Sequence, residues 1–93
     1  MDMVTAYITA HSKGKKKPIC GSAIASALGV SGIEVRRLVN AARCNGDPIC
    51  SNGNGYYIAH DKDELLSTIE SLDGRIAGMM NARNGLKRCL QTM

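Results

Sequence analysis

The residues best suited to chemistry lie between Gly32 and Cys44, in the run GIEVRRLVNAARC. Val35, Leu38, Val39 and Ala42 recur at spacings of three and four, which predicts a helix with one apolar face. That face leaves Gly32, Ile33, Glu34, Arg36, Arg37, Asn40 and Arg43 pointing outward. Such side chains suit the edges of bases in a DNA major groove. Arg bonds guanine, Asn bonds adenine, an apolar side chain touches the thymine methyl, and a carboxylate accepts from cytosine. Ile33, Arg36 and Arg37 are the first candidates for base contact, with Asn40 and Arg43 further along. Glu34 fits cytosine but equally repels a phosphate, so its role stays open.

Charge points to the same partner. Of the net +4, all lies in residues 1–60, which hold seven Lys or Arg against three acids, whereas residues 61–93 hold five of each. A basic segment of this kind suggests a polyanion. Lys13, Lys15, Lys16 and Lys17, in a flexible loop before the helix, suit phosphate contacts that carry salt-dependent affinity without reading sequence.

Several other chemistries are set aside. Cys20, Cys44, Cys50 and Cys89, with His11 and His60, match no zinc spacing, so no metal or other cofactor is expected. No local signature accompanies a nucleophile, and catalysis is not expected. The SNGNG run lacks the lysine and the following helix of a phosphate-cradling loop. With Tyr7, Tyr56 and Tyr57 as the only aromatics, no stacking platform for single strands is evident.

The elements that must position these residues follow from the same sequence. Ninety-three residues make one small domain, able to bury about 60–65% of its unfolded surface. Val4, Tyr7, Ile8 and His11 predict a first helix ending at Ser12 to Gly14, and Pro18 makes the lysine segment a loop. Ile24, Ala25, Ala27 and Leu28 predict a second helix that begins at Gly21 or Ser22 and stops at Gly29. Ser31 is the expected N-cap of the third, which ends at Asn45 and Gly46. Ile49–Ser51 and Tyr56–Ala59, joined through Asn52 to Gly55, predict a β-hairpin with one of Tyr56 and Tyr57 in the core. Asn52 and Asn54 at its tip serve the turn first and a DNA backbone or minor groove second. From Asp61, a helix cap with Glu64 as its partner, one long helix is expected. Its residues Leu65, Ile69, Leu72, Ile76, Met79, Arg83, Leu86 and Leu90 keep the alternating spacing of a coiled-coil seam.

Helix, turn, helix and hairpin is the order of a winged helix-turn-helix. Residues 18–59 resemble the amino-terminal DNA-binding domain of biotin-repressor-like transcription regulators. The resemblance rests on Pro18, Ile24-Ala25, Leu28-Gly29-Val30-Ser31, Val35 and Leu38, Gly46 to Ile49, and Gly55-Tyr56. It implies a mainly α fold with a small hairpin, in which residues 1–60 form the winged helix-turn-helix domain. It also implies double-stranded DNA binding, with Ser31 heading the recognition helix. The seam of residues 61–93 departs from that family; it either packs back on the winged domain as an ordinary amphipathic helix or, the favoured reading, pairs with a second chain to give a homodimer of transcriptional regulators. The other function class is an adaptor or inhibitor that binds protein, as small stand-alone winged helices of phages do. No apolar run approaches a membrane span, and without a secretion signal a cytoplasmic location with reduced thiols is expected.

Overall fold

A computed structural model describes residues 2–93. The element order is α1 (Met3–His11), α2 (Gly21–Leu28), α3 (Gly32–Cys44), β1 (Ile49–Asn52), β2 (Gly55–Ile58) and α4 (Lys62–Thr92). The chain is therefore mainly α, with one antiparallel hairpin and a long C-terminal helix.

Local chemistry sets most boundaries. The Asp2 carboxylate caps α1 by accepting from the Thr5 amide at 2.9 Å. Gly29 ends α2 in the left-handed region at φ +69°, and the Val30 amide returns to the Ala25 carbonyl. The Ser31 hydroxyl accepts from the Glu34 amide at 3.1 Å and starts α3. The three short helices pack Val4, Ile8, Ile24, Val35, Val39 and Ala42 together, with Ile49 of β1 closing the core. Leu38 is half-buried beside it, and Ala27, expected inward, is exposed. Thr5 is buried as well, where its hydroxyl donates to Asp47 at 2.9 Å and so ties α1 to the α3–β1 connection.

β1 runs one residue past the expected Ser51, and β2 keeps its expected length but starts and ends one residue earlier, at Gly55 and Ile58. Asn52 pairs with Gly55, so Gly53 and Asn54 alone form the turn, and the Asn52 side chain accepts from the Asn54 amide at 2.8 Å. A one-residue bridge joins the hairpin: the amides of Ile19 and Tyr56 each donate to the other's carbonyl at 2.8 Å. Gly55 permits this approach, since a Cβ there would collide with the Ile19 carbonyl and lie 2.8 Å from the Cys20 nitrogen. Of the two tyrosines, Tyr57 is the buried one.

The start of α4 belongs to the head formed by the preceding elements. The Cys50 thiol donates to the Glu64 carbonyl, and the Ser51 amide donates to the hydroxyl of buried Thr68 at 3.4 Å. Leu65 and Leu72 are half-buried there. No residue from Asp73 onward is buried, and α4 extends the molecule to 53 Å against 31 and 23 Å in the other directions. No described helix is long and apolar enough to cross a membrane.

Candidate nucleic-acid interface

The α3 face left over by core packing is exposed as its periodicity requires. Ile33 is 78% exposed at the first turn, and Arg36, Arg37 and Asn40 are exposed behind it. The two adjacent arginines differ in their surroundings. Arg37 forms a two-pronged bond to Glu34, with its Nε 2.9 and 3.0 Å from the two carboxylate oxygens. That hydrogen bond and the charge beside it hold the Glu34 carboxyl below its usual pKa and raise that of Arg37. It is the one ion pair among the described residues, so the Arg36 guanidinium carries no carboxylate partner.

Between α3, α2 and the hairpin lies a groove of about 840 Å³. Arg36, Asn40 and Arg43 line one wall, and Asn52, Gly53, Asn54 and Tyr56 the other. Arg75 of α4 reaches its edge, and no Asp or Glu lines it. Arg43 is half-buried rather than projecting: its Nε donates to the Ile49 carbonyl at 2.8 Å and its Nη2 to the Ser51 hydroxyl at 3.2 Å. Both acceptors are neutral, so the positive charge is held in place without being cancelled. Burial lowers the Arg43 pKa, and the nearby charge of Arg75 pushes it the same way. The groove is thus a fixed concentration of positive potential that an anion would relieve.

Other expected site residues lie elsewhere. Ser31 is engaged as the α3 cap. Asn52 is engaged in the hairpin turn. The lysine loop is exposed and folds back on itself. Lys13 and Lys17 pair across a turn made by Gly14 at φ +58°, and the Lys15 amide donates to the Glu64 carboxylate. Glu64 also accepts from the His60 amide at 2.9 Å, so the acid expected to complete the α4 cap at Asp61 instead binds the chain just before it. Asp61 itself caps the Glu64 amide at 2.9 Å as anticipated. Lys13 and Lys16 border a separate hollow with His60 and Glu64, and none of the four lysines lines the arginine groove.

Arg75 is the groove residue that sequence reasoning missed. It sits one turn beyond Leu72, and α4, anchored through Thr68, carries it to the hairpin side of the groove. Along the seam, Ile69, Ile76, Met79, Leu86 and Leu90 are between 47 and 74% exposed, and Arg83 is exposed with them. Leu65 and Leu72 instead share a hollow with Pro48 and Ile49 at the root of α4. Among the described residues, no three His, Cys, Asp or Glu side chains gather as a metal site would need. No family model, no curated protein and no solved structure matches this chain.

Proposed function

We propose that this chain is a sequence-specific double-stranded DNA-binding protein of the winged helix-turn-helix kind, acting as a homodimeric transcriptional regulator. The observation that carries this reading is the groove beside α3, with Arg36, Arg43 and Arg75 on its walls and no carboxylate. In this reading α3 enters the major groove. Ile33, Arg36 and Asn40 meet base edges, and Arg37 joins them when Glu34 releases it. Arg43 and Arg75 hold backbone phosphates, a role for which the fixed, neutral-bonded guanidinium of Arg43 is suited. The lysine loop adds longer-range attraction from its own side of the head. The exposed seam of α4 supports a second copy as the partner that covers it.

Binding to mixed-sequence duplex DNA over a range of salt concentrations tests the reading. The parent is expected to bind with an affinity that falls steeply with salt, and Arg36→Ala combined with Arg37→Ala to lower both affinity and salt slope. A parent that shows no salt-sensitive binding would sink the DNA reading. The adaptor reading draws on Ile33, an isoleucine 78% exposed beside an internally neutralised Glu34–Arg37 pair, which is also what a protein-binding surface offers. It would be favoured if one protein is captured without DNA and Ile33→Asp abolishes that capture.

A further inference from the structure

The seam of α4 carries a charge pattern that decides which way a second copy lies along it. Ile76, Met79, Leu86 and Leu90 are 55, 73, 72 and 74% exposed, and Arg83 is the one charged residue set among them. All acids of α4 lie at or before Asp73, whereas beyond Ile76 its charges are Arg83, Lys87 and Arg88. Helices paired in the same direction set equal positions opposite each other. Arg83 would then meet Arg83 of the second copy inside an apolar seam, where like charges lose water without gaining a partner.

Reversing one helix removes that conflict. Leu72 then faces Leu90, Ile76 faces Leu86, and Met79 faces Arg83 of the other copy, each layer occurring twice. The residues flanking the seam agree. Asp73 and Lys87 stand on the same edge of α4, and in the reversed pair they come within about 3 Å of each other along the axis, from opposite copies. In the same-direction pair Asp73 has Thr68 of the second copy for a neighbour and no cation. On the other edge Ala82 meets Ala82, a small contact at the centre. The root of α4 supplies a separate indication. A hollow of about 290 Å³ includes Pro48, Ile49, Leu65, Ile69 and Leu72 in its lining, one layer past the Leu72–Leu90 contact, where the reversed helix of the other copy ends.

We propose that two copies of this chain pair through α4 in antiparallel orientation, with the two-fold axis crossing near Asn81 and the heads at opposite ends. The inference rests on the self-pairing part of the proposed function. It is tested by cross-linking in a background with Cys20, Cys44 and Cys89 changed to Ser, leaving buried Cys50. One preparation carries Ile76→Cys and another Leu86→Cys, both at exposed positions outside the head, and the two are mixed and oxidised. The expected product is a disulfide between position 76 of one copy and position 86 of the other. Links of 76 to 76 and 86 to 86 as the main products would overturn the orientation while leaving self-pairing intact. Sedimentation of the parent as a monomer at every concentration would overturn self-pairing and this inference with it. Charge exchange gives a second reading: Asp73→Lys weakens dimerisation by about tenfold, and adding Lys87→Asp restores it. No rescue by the second change would overturn the register.

Discussion

Glu34 holds the guanidinium of Arg37 along α3, while Arg36, the next residue back, has no carboxylate on it. Two arginines that a sequence presents as equivalent therefore begin from different states. Replacing Arg36 by Ala is expected to cost about 1–3 kcal/mol of DNA binding if it reads a base, and to reduce the salt slope by about one if it holds a phosphate. Glu34→Gln is expected to act in the opposite sense, because it removes a negative charge from the interface and frees Arg37. Titrations of one duplex with each variant check both signs. A residue inside the head gives a prediction about pH. Burial pushes the Cys50 thiol above its ordinary value of 9.0, and burial likewise raises the Tyr57 hydroxyl above 10.0. Both are acids that ionise first in the unfolded chain, so folding stability is complete below pH 9 and declines as pH rises through the raised folded values. Denaturation midpoints measured from pH 8 to 11 should show that decline, and Cys50→Ala should delay its onset.

At the scale of the elements, Gly55 is where backbone conformation and packing meet. Its φ of +144° is open to glycine alone, and the Ile19 carbonyl occupies the space a side chain would need. Gly55→Ala is therefore expected to cost about 2–3 kcal/mol of stability and to detach the Ile19 segment from β2. Thermal unfolding measures the cost, and slowed amide exchange lost at Ile19 and Tyr56 locates it. Gly74 and Gly78 show the contrary case, since a Cβ at either meets nothing within 4 Å. Changing both to Ala should favour the free part of α4 by about 1 kcal/mol per site, seen as stronger helical circular dichroism at low concentration. What was legible in the sequence divides along the same line. The Ser31 and Asp61 caps, the Gly29 stop and the apolar faces of α1 and α3 depend on residues within a few positions of each other, and each appears where expected. The Ile19–Tyr56 pairing, the Thr5–Asp47 bond and the arrival of Arg75 at the groove join residues far apart in sequence. No period or cap signals such contacts. The same limit explains Arg43, whose outward position on the α3 wheel is correct but whose guanidinium is turned back onto β1.

For the whole molecule, the consequence lies in how firmly each head is fixed to its helix. Thr68 and Glu64 bind the start of α4 to β1, His60 and the lysine loop, and Arg75 is already part of the groove. A second copy held through α4 would thus carry the face proposed to bind DNA at a set angle. From Leu72 to Leu90 the helix rises about 27 Å, which separates the heads by at least that distance in an antiparallel pair. Ile76→Glu with Leu86→Glu puts acids into the exposed seam without touching the head, and is expected to give a folded monomer. Its affinity for a duplex with two half-sites should fall by about a hundredfold, because the second contact is no longer tethered to the first, and its salt slope should be roughly halved. Spacing then distinguishes tethering from a general loss of fit. Inserting about five base pairs between the half-sites turns one of them to the opposite side of the duplex. The parent should drop to the affinity of the seam variant on that duplex, while the seam variant should not respond. A parent indifferent to the insertion would mean that the heads swing freely, against the anchoring of α4 through Thr68.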